Sequence, residues 1–311
     1  MDTTPRHRPV LRDDVVAALR AATPRCIADA TVGLGGHARA LLEALPELFL
    51  VGLDVDPAAL EVARANLAPF AARVHLVQAN YSNLAQVVAA AGVAQLDGVL
   101  FDFGVSSLQL DTPARGFSFR FDAPLDMRFS GCGVTAAELL ATLDEGELAR
   151  ILFAYGEEPR ARRVARAIVA ARERAPLRTT GQLRQVVGRA LARRHGRTDP
   201  VTRTFQALRI ATNRELEGIP PAIEAAARLL SPGGRLAVIT FHSLEDRLVK
   251  RTLKHLSGAC VCPPGTRQCG CNPQTLLDIV TRRAIRPGAA EVAENPRARS
   301  AGLRVAQRRG T

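Results

Sequence analysis

Apolar and polar positions follow two different rhythms along this chain. Up to position 104, short apolar runs alternate with longer stretches whose apolar residues recur every three or four positions. The runs at 25–33 (RCIADATVG), 48–56 (LFLVGLDVD), 73–80 (RVHLVQAN) and 96–104 (LDGVLFDFG) read as strands. The stretches at 36–47, 57–68 and 82–92 read as helices, with Pro57 at a first helical position and Ser82 as an N-cap. Strands spaced by helices of this length predict a parallel sheet covered on both faces.

After 104 the alternation stops. Positions 103–128 are rich in turn residues, and 135–214 is helical in pattern without a strand signal, in stretches at 135–156, 157–175 and 179–196. The earlier rhythm then resumes. A helix at 218–234 closed by Gly233 and Gly234 precedes a strand at 235–241, a helix at 243–256, and strands at 276–285 and 303–309. The economical organisation is one α/β domain built from both ends of the chain, 1–106 and 216–311, with a helical domain inserted at 107–215. No internal repeat is present.

Charge sharpens this division. The formal net charge is +12, and from 160 to 214 there are 15 arginines against only Glu173 and Asp199, a local excess of +13. A basic block of this kind predicts a polyanionic partner, because guanidinium groups neutralise phosphates and release counterions. A solvated helical surface in a chain that uses arginine for lysine accounts for the same count; Lys250 and Lys254 are the only lysines. The longest uncharged span, 74–96, is interrupted by His75, Gln78, Asn80 and other polar residues, so no membrane helix is expected. The opening MDTTPRHRPVLRDD lacks a signal-peptide core, and the expected location is cytoplasmic.

Three predicted strands end on a carboxylate. Open α/β sheets bind ligands at the carboxyl ends of their strands, so Asp29, Asp54 and Asp102 converge on the expected site. After Asp29 come Gly33, Gly35 and Gly36, which let the backbone approach a ligand just before a helix; a tight strand-to-helix turn explains them equally. Asp54 lies 21 residues past Gly33, a spacing that suits a carboxylate accepting both hydroxyl hydrogens of a ribose. Asp102 is expected beside Gly35 and Asp54, its lone pairs turned to a ligand or to a structural partner. The glycines depart from G-x-G-x-x-G, and three acids would repel a pyrophosphate. S-adenosylmethionine, with an amino-acid tail, a ribose and an adenine, suits the site better than a nicotinamide dinucleotide. Separately, CVCPPGTRQCGC places Cys260, Cys262, Cys269 and Cys271 close together. In a reducing compartment this favours a metal, a structural zinc, over disulfides, with four free thiols as the alternative.

Several of these segments carry a specific resemblance. HRPVL, DATVGLGGHARALL, LDVDPAAL, DGVLFDFGVSSLQLDTPARGFSFRFDAPLDMRF, TRTFQALRIATNREL, LSPGGRLAVITFHSLEDRLVKR and ENPRARSAGLRVA resemble the MraW/RsmH family nearly from end to end. The resemblance implies a Rossmann-like class I S-adenosylmethionine-dependent methyltransferase sheet with an inserted all-helical domain. It implies methylation of the exocyclic N4 of cytosine 1402 in 16S rRNA, in the decoding region of the small ribosomal subunit. It also implies cofactor contacts at Gly35, Gly36, His37, Asp54, Tyr81, Asp102 and Gln109. Tyr81 stands where the family usually has Phe, and an aromatic of either kind can flank an adenine.

For the chemistry, Asp102 is the expected acceptor of an N4 hydrogen, with His242 and Ser243 as walls of a base pocket. Many amino-methyltransferases carry Asp/Asn/Ser-Pro-Pro-aromatic at this strand end, whereas this chain reads Asp102-Phe103-Gly104-Val105. Two competing readings are a nicotinamide-dependent oxidoreductase and a non-catalytic RNA-binding assembly factor that keeps a methyltransferase fold.

Overall fold

A computed structural model describes residues 9–191 and 199–310. Expectations for His7 and Arg8 of HRPVL, for the end of the third helical stretch at 192–196, and for Arg193, Arg194 and Arg197 lie outside the described residues. The chain divides into two units, residues 1–104 with 216–311, and residues 105–215.

The first unit opens with α1 (Arg12–Arg20), then β1 (Cys26–Asp29), α2 (Gly36–Ala44), β2 (Phe49–Asp54), α3 (Pro57–Leu67), β3 (Val74–Gln78), α4 (Leu84–Ala90) and β4 (Leu96–Asp102). The second unit holds α5 (Ser107–Asp111), α6 (Ala136–Thr142), α7 (Glu145–Gly156), α8 (Ala161–Arg172), α9 (Thr180–Leu191) and α10 (Val201–Asn213). The chain then returns through α11 (Ile219–Leu229), β5 (Leu230–Thr240), α12 (Ser243–Leu256), β6 (Leu277–Ile279), α13 (Ala289–Glu294) and β7 (Gly302–Arg308). The strands form one sheet in the order β3-β2-β1-β4-β5-β7-β6, parallel from β3 to β5, with β7 antiparallel to both β5 and β6. This is the Rossmann-like sheet that the resemblance implies, and its order switches sides between β1 and β4.

Strand periodicity divides the core in two. Ala28, Val51, Leu53, Val99, Phe101 and Phe103 pack with α4 and α11 on one face of the sheet. Ile27, Leu50 and Leu100 pack with α1, α2 and α3 on the other. Because side chains alternate along a strand, Asp29, Asp54 and Asp102 share the parity of Ile27, Leu50 and Leu100. All three acids therefore belong to the α1–α2–α3 face. A third core, built from Leu140, Leu148, Leu152, Val164, Ile168, Leu183, Val187 and Leu208 among others, holds the second unit together.

Four local expectations need correction. Ser82 is not an N-cap: Asn80 accepts the Ser82 N–H at 2.9 Å and starts a 3-10 turn, Tyr81–Asn83, that leads into α4. Gly233 and Gly234 do not close α11, which ends at Leu229; they lie inside β5, where the register against β4 slips between Leu96 and Gly98. The strand expected at 276–285 shrinks to β6. The helix at 135–156 breaks between α6 and α7, because Asp144 opens a new helix as its N-cap, accepting the Glu147 N–H at 2.7 Å. Among the described residues, no helix is long and apolar enough to cross a membrane.

Candidate functional site

The ends of β1, β2 and β4 present the three acids in different states. Asp29 is 1% exposed. Its Oδ1 accepts the Thr31 N–H at 3.2 Å, while Oδ2 has no hydrogen-bond partner among the described residues. Burial pushes this carboxyl up to about 7, against the opposing pull of His37 and the Thr31 N–H. Asp54 is also raised by burial, and hydrogen bonds pull it back: Oδ1 accepts the Asp56 N–H at 2.9 Å and Oδ2 the Gly33 N–H at 2.8 Å. Asp102 has one buried oxygen, Oδ1, with no partner among the described residues, and its Oδ2 lies 3.5 Å from His37 Nε2.

The turn between β1 and α2 organises these groups. Gly35 is the N-cap of α2 with φ of 83°, a left-handed conformation that favours glycine. Gly36 has a different reason to lack a side chain: a Cβ there would stand 2.6 Å from Pro9 Cγ. The next residue, His37, is 6% exposed, and neither ring nitrogen has a hydrogen-bond partner among the described residues. An imidazole buried in this way is costly unless something else completes its hydrogen bonds.

Asp102 does not sit beside Asp54. Asp29 pairs with Gly52 of β2 on one side and Leu100 of β4 on the other, so β1 separates the two acids. With strands ~4.8 Å apart, Asp54 and Asp102 flank Asp29 at roughly 10 Å from one another. The result is a row of three carboxylates along the strand ends, with His37 beside the third.

Thr31 was not singled out from the sequence and ties the row together. Its Oγ1 accepts the Asp102 N–H at 2.6 Å, and its own N–H donates to Asp29. The signal available was a hydroxyl two residues past Asp29 in an otherwise apolar and glycine-rich segment. Tyr81 lies on the opposite sheet face, edge-on to Phe101 and Phe103 with ring centroids 6.3 and 5.4 Å away. A Cβ on Gly218 would come within 2.8 Å of the Tyr81 ring. The ring is thus packed against the core of the sheet.

His242 and Ser243 follow β5, the neighbour of β4. His242 is the N-cap of α12; its Nδ1 accepts the Glu245 N–H at 3.4 Å, while Glu245 Oε2 accepts the Phe241 N–H at 2.7 Å. Gln109 belongs to the second unit, where it completes a capping box on α5: its Oε1 accepts the Ser106 N–H at 3.0 Å. Asp97, in the same apolar run as Asp102, is purely architectural; it accepts the Arg25 and Cys26 N–H groups and the Ser231 hydroxyl. Burial, with Asp97 nearby, pushes the Cys26 thiol up to about 11, so it stays neutral. Cys260, Cys262, Cys269 and Cys271 come together in the connection between α12 and β6.

In the second unit, several arginines of the basic block serve the fold. Arg160 donates to the Leu191 carbonyl at 2.9 Å, Arg172 to the Leu140 carbonyl, and Arg209 to Glu215 at 2.9 Å. Arg162, Arg163, Arg174, Arg178 and Arg189 are exposed.

The MraW methylase family model matches residues 4–309. Ribosomal RNA small subunit methyltransferase H of Geobacter sulfurreducens is 49% identical over 306 residues, 97% of this chain and 98% of the relative. The protein of the same name from Syntrophotalea carbinolica is 47% identical over 307 residues, with 97% and 98% covered. Among solved structures, an rRNA methylase of Streptococcus thermophilus aligns at 12% identity with a TM-score of 0.41, covering 100% of this chain and 99% of that one. With a family model matched over nearly its full length and relatives close to half identical from end to end, the chain belongs to the MraW methylase family.

Proposed function

We propose that this methylase transfers a methyl group from S-adenosylmethionine to the exocyclic N4 of cytosine 1402 in 16S rRNA of the small ribosomal subunit. The observation that carries the reading is the set of buried polar atoms along one row that have no hydrogen-bond partner among the described residues: Asp29 Oδ2, both nitrogens of His37, and Asp102 Oδ1. Such atoms fit a polar, cationic ligand, because each desolvated lone pair or N–H needs a partner. When bound, the cofactor supplies an electrophilic methyl group on a cationic sulfur.

The residues divide the work by position. Asp54, anchored by the Gly33 and Asp56 N–H groups, keeps further lone pairs to accept ribose hydroxyls. Gly35, Gly36 and His37 line the turn where the cofactor's amino-acid tail would lie, with Asp29 as its acidic neighbour. Tyr81 flanks the adenine, and Gln109 is the remaining cofactor contact that the family resemblance implies. Asp102 accepts one N4 hydrogen of the cytosine. That bond turns the amine's lone pair, otherwise drawn into the ring, toward the methyl carbon. The second N4 hydrogen keeps its place, and the proton released on methylation passes to water.

A base must leave its stack before its N4 can be reached, so the substrate strand is single or flipped. The exposed arginines of the 107–215 domain would hold its phosphates. The protein acts in the cytoplasm, where the subunit is assembled. The test is to incubate the protein with labelled S-adenosylmethionine and small subunits lacking this modification, and then map the label. Label on N4 of that cytosine is expected. Label on a ring carbon or at another nucleotide, or none at all, overturns the proposal.

A further inference from the structure

Between α12 and β6 the chain makes an excursion, 257–276, whose two ends are stitched together. The Leu276 N–H donates to the Leu256 carbonyl at 2.8 Å and the Gln274 N–H to the His255 carbonyl at 3.1 Å, and Ser257 bridges Thr275. Nothing apolar holds the part beyond. The buried apolar residues pass directly from Leu256 to Leu277, and residues 263–270 are all exposed. A segment without a core needs a cross-link to keep one conformation.

Four sulfurs occupy the place where such a link would be. Each C-x-C pair puts two cysteines on one side of an extended stretch, since side chains two residues apart share a face. The turn at 263–266, closed by the Thr266 N–H on the Pro263 carbonyl at 3.2 Å, brings one pair back over the other. The Sγ···Sγ separations are 3.5 Å for Cys260–Cys269, 3.7 Å for Cys260–Cys271, 3.9 Å for Cys262–Cys269 and 3.3 Å for Cys269–Cys271. All four sulfurs lie within 4.8 Å of one another. A tetrahedron with Zn–S bonds of ~2.3 Å has edges of roughly 3.8 Å, so the spacing is that of a single ion's shell. All four cysteines are free.

Two backbone donors complete the arrangement: the Val261 N–H points at Cys271 Sγ and the Cys262 N–H at Cys260 Sγ, each at 3.4 Å. N–H groups aimed at sulfur stabilise thiolate charge and orient the ligands. The excursion contains no Asp, Glu or His, so its donor set is pure sulfur, which selects zinc over magnesium or calcium. We propose that Cys260, Cys262, Cys269 and Cys271 bind one zinc ion that staples this excursion beside the edge strand β6. Binding exchanges four thiol protons for the dication and leaves a site of net charge −2. The proposal is independent of which base is methylated.

Full-length protein purified without chelator or histidine tag would be assayed for metal by elemental analysis and native mass spectrometry. About one zinc per chain is expected, lost in the Cys262→Ser/Cys269→Ser double variant and kept in Cys132→Ser. Trypsin cleavage after Arg267 should speed up about tenfold or more once the metal is stripped, because the opening of the excursion is then unopposed. Should the double variant fail to fold, cobalt titration of the stripped wild-type protein gives a second readout, the visible absorption of a tetrahedral thiolate site. Absence of both zinc and cobalt uptake by the reduced chain would overturn the proposal. So would iron in place of zinc, or a mass four hydrogens light, which reports two disulfides.

Discussion

Asp102 and Asp29 face the same row yet should respond to mutation in opposite ways. Asp102→Asn replaces the acceptor proposed for the N4 hydrogen with an amide of the same shape. Methyl transfer should fall by about 10²-fold or more, beyond whatever S-adenosylmethionine affinity the variant loses, with the thermal midpoint little changed. A single-turnover assay beside a melting curve checks this, and full activity in the variant would remove Asp102 from the chemistry. Asp29 is a stability liability. Its carboxyl rises from 3.8 to about 7 on folding, so within that window the folded state keeps a proton that the unfolded chain has released. The stability is fully present below the lower value and is lost as pH rises through the upper one. The ligand-free midpoint should therefore decline between about pH 4 and pH 7, and Asp29→Asn should flatten the curve, by up to a few kcal/mol at the alkaline end. A wild-type curve that rises over this range would contradict the assignment.

At the scale of elements, the β1–α2 turn shows how packing and chemistry share the same glycines. Gly36 is crowded by Pro9, with only 2.6 Å available to a Cβ, so Gly36→Ala should displace Pro9 and cost about 1–3 kcal/mol. Because α2 also carries His37, the same change should weaken S-adenosylmethionine binding beyond what the loss of stability explains. Calorimetry of the folded variant checks this; wild-type affinity would show that the turn is only structural. Elsewhere the elements were legible wherever periodicity was long. β2, α3 and α12 match their apolar patterns closely, and Pro57 opens α3, where Asp56 accepts the Ala58 N–H at 3.1 Å. The patterns misled at ends and breaks. Asn80 outcompetes Ser82 as a cap because a side-chain bond two residues on is a local choice that no apolar period records. Gly233 and Gly234 are a helix stop by propensity, yet α11 ends earlier, at Leu229, and the two glycines fall in the slip between the Leu230 and Arg235 pairings of β5 with β4, a tertiary override of a local signal.

For the molecule as a whole, the basic block is smaller than its count of arginines suggests. Arg160, Arg172 and Arg209 spend their guanidinium groups on carbonyls and an acid within the second unit, and this leaves the exposed set for a partner. Replacing Arg162, Arg163 and Arg174 together by Ala should weaken RNA binding and flatten its salt dependence. If all three contact phosphates, the slope of log K against log[salt] should drop by about 2. An unchanged slope would mean that the RNA path lies elsewhere.

The sequence by itself determined the layered α/β plan, the helical middle and the three acid-terminated strands, because the periods of apolar residues register which face of an element is buried. It also determined the sulfur quartet, since a C-x-C pair needs only an extended backbone to align its thiols. Tertiary structure alone decided that Asp29 stands between Asp54 and Asp102, that His37 rather than Asp54 neighbours Asp102, and that Thr31 joins the ends of β1 and β4. Those relations follow from strand order and register, which are set by contacts between residues far apart in the chain and leave no trace in any local pattern.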